Sequence, residues 1–201
     1  MLSGFRHPDK PIDTTPDVVK RLNPSEWICN AKYDGWRLQV YVDGPGHVRC
    51  LSRVGRPLAQ TAAKFPQSLV QAFQNMKLPT GTVIDAEFVG PRGGLHPSVY
   101  IFDMLAWDGE WLAQEPYEKR WERCQQLRWD HPDIHLAETV PNDFMAFFER
   151  LKAAWDGESI DLWEGIVLKS RKGKLKLDRN SSQKSDVMFR LKYRDIVAAR
   201  Y

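Results

Sequence analysis

Ala31-Lys32-Tyr33-Asp34-Gly35-Trp36-Arg37 sets a lysine beside a tight Asp-Gly element, inside a run that otherwise reads as strand. Upstream, Trp27, Cys29 and Ala31 alternate with Ile28, Asn30 and Lys32. Downstream, Leu38, Val40 and Val42 alternate with Gln39, Tyr41 and Asp43. This is the period-two pattern of half-buried β-structure. It puts Lys32 and Asp34 on one side, so that an amine and a carboxylate meet at a strand end. A lysine in such a place can be a covalent nucleophile; on this stretch alone, an exposed, salt-bridged lysine before a hairpin is the favoured reading. Its partners elsewhere in the chain decide between the two.

The 201 residues suffice for one domain, or two closely joined lobes, with a real core. A hydrophobic content of 42% with 27% charged residues is that of a globular protein. A net charge of +3 excludes a polycation, so any nucleic-acid surface must be a local patch. Three widely spaced cysteines, Cys29, Cys50 and Cys124, follow no metal-ligand pattern and read as reduced. With no apolar run long enough to span a bilayer and no signal-like segment in the polar start, the expected location is cytoplasmic, or with the nucleoid or nucleus, and not secreted.

Residues 1–25, punctuated by Pro8, Pro11, Pro16 and Pro24, read as an irregular leader to a domain covering 26–201. A hairpin through Val42 and the turn Asp43-Gly44-Pro45-Gly46 follows, returning through Val48, Cys50 and Ser52. Helices are expected from Pro66 to Met76, Pro116 to Leu127 and Asn142 to Trp155, the last with Phe144, Phe147, Phe148 and Leu151 at helical spacing. Strands are expected at Thr82–Val89, Tyr100–Ala106, Leu162–Lys169 and Val187–Tyr193. No regular βαβ rhythm appears, so the fold class is α+β with antiparallel sheets.

Several carboxylates stand inside these strands: Asp85 and Glu87 on one face, Asp103 after Phe102, and Glu164 opening Trp163-Glu164-Gly165-Ile166-Val167-Leu168-Lys169. Buried carboxylates are paired or bound to metal. Several converging on a lysine would make a cation site whose hard oxygens suit Mg²⁺. The last strand supplies the opposite sign, with Met188, Arg190, Lys192 and Arg194 on one face. Such a face suits phosphate, or is simply solvated.

In this order the pieces resemble the ATP-dependent DNA ligases, within the covalent nucleotidyltransferases that include mRNA capping enzymes. The motifs are Lys32-Tyr33-Asp34-Gly35-Trp36-Arg37, Ser52-Arg53-Val54-Gly55, Asp85-Ala86-Glu87, Tyr100-Ile101-Phe102-Asp103, Glu164-Gly165-Ile166-Val167-Leu168-Lys169 and Phe189-Arg190-Leu191-Lys192. Glu115-Pro116-Tyr117-Glu118-Lys119-Arg120 also looks like the DNA-ligase branch. RNA ligases usually lack the Asp-Gly-x-Arg form.

The resemblance implies two antiparallel sheets with flanking helices, ATP and Mg²⁺ as cofactors, and nicked duplex DNA as partner in repair or replication, with the chain a monomer. It implies that Lys32 attacks the α-phosphate of ATP and carries AMP as a phosphoramidate. Arg37 would touch the ribose and Phe102 would stack on adenine, with Asp34, Gly35 and Arg190 also lining the nucleotide. Glu87 and Glu164 would hold ribose and metal, Lys169 and Lys192 would neutralise the α-phosphate, and Arg53 would meet the nick 5′-phosphate. An ordinary lysine, with a pKa of ~10.4, is deprotonated to only about one part in a thousand near neutral pH. Mg²⁺ and neighbouring cations would free the amine. The rival readings are a GTP-dependent capping-type guanylyltransferase and a non-catalytic nick- or nucleotide-binding module.

Two departures stand out. Arg190 occupies a position where these ligases usually carry lysine, which shifts the expected contact toward phosphate gripping. The sequence also ends at Arg200-Tyr201, near where an OB-fold domain follows in the family. The expectation is therefore an adenylation domain without an OB-fold, charged slowly, with a partner a candidate source of the missing domain.

Overall fold

The structure, a computed structural model, describes residues 4–62, 65–91, 95–158, 162–180 and 183–198; the Ser181-Ser182 pair and the chain end Arg200-Tyr201 lie outside them. In chain order the elements are β1 (His7–Pro8), β2 (Lys10–Asp13), α1 (Pro16–Arg21), β3 (Trp27–Tyr33), β4 (Trp36–Gly44), β5 (His47–Ser52), α2 (Leu58–Thr61) and α3 (Gln67–Asn75). They continue with β6 (Val83–Val89), β7 (Ser98–Trp107), β8 (Glu110–Trp111), α4 (Tyr117–Gln126), β9 (Ile134–Leu136) and β10 (Thr139–Val140). The last are α5 (Phe144–Glu158), β11 (Trp163–Ser170), β12 (Leu177–Asp178), β13 (Lys184–Lys192) and α6 (Tyr193–Ala198).

Two largely antiparallel sheets carry the fold. One runs β10-β3-β11-β13-β2; the other runs β5-β4-β6-β7-β8, with β9 also beside β7. In the first, the alternation in Trp27–Tyr33 sets Cys29, Ala31, Ile166, Leu168 and Leu191 on one buried face. Helix α5 covers this face with Phe144, Phe147, Phe148 and Leu151. In the second, Leu38, Val40, Ile84, Ala86 and Ile101 form the apolar face, in one core with Leu69 and Phe73 of α3. Burying each Leu, Val, Ile or Phe side chain among these is worth about 1.5–3 kcal/mol.

The opposite faces are polar, and they meet. The register aligns Arg37 with Glu87, and Gln39 with Asp85 and Asp103, in the second sheet. In the first it aligns Lys32, Gly165 and Lys192. Lys169 crosses from β11 to β7, where its Nζ donates to the Phe102 carbonyl at 2.8 Å and lies 3.8 Å from Asp103 Oδ2. Arg120, 1% exposed, closes the same carboxylate from α4 with two bonds, Nε–Oδ1 at 2.8 Å and Nη2–Oδ2 at 3.1 Å.

Three expectations need correction. Residues 7–21 are not an irregular leader, for they form β1, β2 and α1. Pro11 is tolerated because β2 is the edge strand of its sheet, where an absent N–H costs no ladder bond. The closing strand ends at Lys192 and Tyr193 starts α6, so Arg194 does not extend the basic strand face. β3 likewise ends at Tyr33, so the alternation stops short of Asp34. Among the described residues no helix is long and apolar enough to cross a membrane.

Burial alone would raise the Asp103 carboxyl, but Arg120 and Lys169 outweigh it and hold it below the usual range. Removing one partner of a buried ion pair leaves an uncompensated charge, so Arg120→Ala is expected to cost about 3–5 kcal/mol. Urea unfolding of the two proteins measures this directly.

Candidate active site

Lys32 leaves β3 toward Glu164: its Nζ donates to Glu164 Oε1, while Lys192 Nζ holds Oε2 at 2.9 Å. Strict alternation along β11 would not allow this, since Glu164 would share the apolar face with Ile166 and Leu168. The ladder between β11 and β3 slips between Trp163 and Gly165, and this bulge turns Glu164 to the polar face. Gly165 makes the bulge possible. Its φ is +146°, and a Cβ there would lie 2.0 Å from the Leu191 carbonyl oxygen. Burial pushes Glu164 upward, yet Lys32 and Lys192 outweigh it and keep the carboxyl below its ordinary value.

The facing wall belongs to the second sheet. Arg37 makes a two-bond ion pair with Asp85, its Nε on Oδ1 at 2.9 Å, and its guanidinium lies 5.7 Å from the centre of the Phe102 ring. Phe102 is the extra residue of a second bulge, where Asp85 faces Asp103 and Ala86 faces Ile101. That irregularity lets both Phe102 and Asp103 reach the polar side of one strand. Glu87, paired in register with Arg37, makes no hydrogen bond or ion pair among the described residues. Burial pushes its carboxyl up to about 7, against the pull of Lys32 and Arg37.

Thus the structure brings together Lys32, Glu164 and Lys192, and sets Arg37, Glu87 and Phe102 opposite. It does not bring Lys169 to Lys32. Lys169 pairs with Ile28 and Met188, four residues along from the Lys32 rank, or roughly 13 Å at ~3.3 Å per residue. Its ammonium lies 4.2 Å from the Tyr117 ring centre and 5.0 Å from that of Phe102, and burial lowers its pKa to about 8. Arg190 is likewise engaged elsewhere, in a two-bond pair with Asp13 of β2. Gly35 has a packing role, because a Cβ would sit 2.2 Å from the Phe88 carbonyl oxygen. The Asp34 N–H donates to the Leu162 carbonyl at 3.0 Å. Arg53 is exposed on the turn after β5. Trp36 is 44% exposed and leans on Phe88, 6.0 Å away.

Sequence reasoning missed the Arg37–Asp85 pair and the role of Arg120. The stretch Glu115–Arg120 carried a signal for the latter, since an arginine at the fourth position of a helix beside a buried Phe-Asp strand can reach that acid. It also missed Tyr117, whose hydroxyl donates to Asn30 Oδ1 at 2.9 Å and so ties α4 to β3 beneath the site.

The donor set fits a divalent cation. Mg²⁺ is usually held by one or two carboxylates together with substrate phosphates, and Glu87 has carboxylate oxygens that no described residue engages. No group of three or more His, Cys, Asp or Glu among the described residues forms a cage made of protein alone.

Comparison with known proteins finds the same fold. Residues 10–94 match the model of the ATP dependent DNA ligase domain. The SPbeta prophage-derived DNA ligase-like protein LigB of Bacillus subtilis is 24% identical over 182 residues, covering 82% of this chain and 62% of that protein. The multifunctional non-homologous end joining DNA repair protein LigD of Mycobacterium tuberculosis is 29% identical over 162 residues, covering 73% of this chain and 20% of its own length. Among solved structures, the ligase domain of M. tuberculosis LigD superposes with a TM-score of 0.65 at 21% identity, over 94% of this chain and 59% of that one. The ATP complex of the bacteriophage T7 ATP-dependent DNA ligase gives 0.62 at 15%, over 92% and 68%. The chain therefore spans less than two thirds of the length of these curated relatives.

A carboxyl raised in the folded state binds more protons there than in the unfolded chain, so its ionisation opposes folding. Glu87, raised from 4.5 to about 7, contributes stability that is full below about pH 4.5 and lost as pH rises through about 7. Glu87→Gln should therefore lose less stability than the parent between pH 5 and 7.5, as read from urea midpoints at each pH.

Proposed function

We propose, for a chain with the nucleotidyltransferase domain of the ATP-dependent DNA ligases, that Lys32 accepts AMP from ATP and passes it to the 5′-phosphate of nicked duplex DNA. The observation that carries this reading is the Lys32–Glu164–Lys192 cluster facing Arg37, Glu87 and Phe102 across the two sheets. Residues 26–198 supply this machinery, with the segment before them packed against it. The relative named for end-joining repair supports a repair setting.

The Lys32 Nζ forms a bond to the α-phosphorus while the bond from that phosphorus to the bridging oxygen breaks, and pyrophosphate leaves. Nζ gives up a proton in the process, and Glu164 is the hydrogen-bonding oxygen nearest to receive it. Lys192, on the other Glu164 oxygen, brings positive charge to the same place, where it stabilises the charge that develops on the transferring group. Phe102 offers its ring to the base, and Arg37, fixed by Asp85, presents a pre-set guanidinium to the sugar side. Glu87 and Glu164 would hold Mg²⁺, which when bound neutralises phosphate charge. In the second step the 5′-phosphate oxygen attacks the same α-phosphorus, breaking its bond to Nζ and forming an adenylated DNA end. The exposed Arg53 would hold that phosphate, which makes nick affinity salt-dependent.

Incubation with ATP labelled at the α-phosphate and Mg²⁺, followed by denaturing electrophoresis, is expected to label the chain, and nicked DNA should remove the label. GTP should not label. Lys32→Ala and Lys32→Arg are each expected to abolish the label, since neither offers an amine. A labelled Lys32→Ala protein would refute the assignment.

A further inference from the structure

The segment 5–13 crosses between the sheets. Phe5 lies against Gly55, so closely that a Cβ on that glycine would come within 3.0 Å of Phe5 Cγ and 3.3 Å of its Cβ. The ring also meets His7 edge-on at 4.8 Å and lies 6.3 Å from Tyr41. The next residue is fixed by its backbone: the Arg6 N–H donates to the Tyr41 hydroxyl at 3.2 Å, and Gln39 Nε2 donates to the Arg6 carbonyl at 3.1 Å. Beyond it, β1 pairs with β12 and β2 with β13. Phe5 is therefore held from both sides.

Gly55 belongs to a tight turn after β5. The Ser52 N–H donates to the Arg56 carbonyl at 2.7 Å, the Gly55 N–H donates to the Ser52 carbonyl at 2.8 Å, and Gly55 has a φ of +74°. Arg53, Val54 and Arg56 all face solvent, Val54 at 55% exposure. An exposed turn held only by its own hydrogen bonds must be ordered when it binds, which weakens binding. A ring already packed against its glycine removes part of that cost.

We propose that Phe5 is a positioning residue for nicked-DNA binding, its ring buttressing the Ser52–Arg56 turn so that Arg53 is presented to a duplex phosphate. The proposal rests on the ligase reading for Arg53, but it concerns DNA binding alone. Phe5 packs at the turn and takes no part in the Lys32 cluster, so loss of its ring separates the two steps.

The test is the affinity of the full chain for a fluorescein-labelled nicked duplex, read by anisotropy at fixed salt, beside covalent AMP labelling. Phe5→Ala is expected to bind the nick about five- to tenfold more weakly while labelling stays within about twofold. Phe5→Leu, which keeps an apolar group against the glycine, should recover most of the affinity. In an Arg53→Ala background, Phe5→Ala should cost less than about twofold more, because coupled residues are not additive. Gly55→Ala, which drives a methyl into the ring, provides a second route and should weaken nick binding with labelling retained. Unchanged nick affinity in Phe5→Ala, an undiminished loss in the Arg53→Ala background, or labelling that falls in step with binding would each overturn the buttress. Failure of the functional reading looks different, for the unsubstituted chain would then take up no AMP.

Discussion

Two sheets that turn polar faces toward each other stay together only if the charges between them are matched. Asp103 is the point where that condition is met. It takes two bonds from Arg120 and lies within 4 Å of the Lys169 ammonium, which reaches across from the other sheet. A few residues away, Asp85 and Arg37 repeat the match. Cations and carboxylates therefore alternate through the interface, and the apolar faces of both sheets are left for the helices. A buried ion pair adds little net stability over an apolar pair. What this arrangement provides is a set of matched charges between the sheets beside the Lys32 cluster.

The strands that carry the candidate site were legible in the sequence; the faces were not. Period-two alternation located β3, β4, β6, β11 and β13 to within a few residues. Alternation fails where a strand carries a bulge, and two bulges deliver side chains of the candidate site. At Phe102 an extra residue brings both the ring and Asp103 to one side. At Glu164 a slip beside Gly165 moves a carboxylate from the apolar face onto Lys32. The glycine was visible as part of a motif, but the need for it, a backbone contact with Leu191, appears only when β13 is in place. Lys169 went astray for a related reason. Motif order put it near Lys32, whereas ladder register carries it along the strand to Phe102 and Asp103.

The first twenty-five residues show a different limit. Four prolines suggested an irregular tail, and proline does interrupt an interior strand. At a sheet edge the same residue is harmless, and β2 runs parallel to β13 as such an edge. Nothing local in Lys10-Pro11-Ile12-Asp13 signals a partner nearly 180 residues away. The pairing is set by Asp13 opposite Arg190 and Ile12 opposite Phe189, contacts that exist only in the folded chain.

That pairing also gives the Arg190 guanidinium its partner. A planar guanidinium can bind both oxygens of Asp13 at once, which an ammonium does not do with the same geometry. The two cations of the closing strand therefore divide their work. Arg190 ties β13 to the edge strand, while Lys192, two residues on and on the same face, is left to Glu164. Since Lys192 lies in the same rank as Lys32, whatever fixes β13 also fixes the spacing of the two amines around one carboxylate. The edge strand thus bears on the geometry of Lys32 although it contributes no side chain to the cluster.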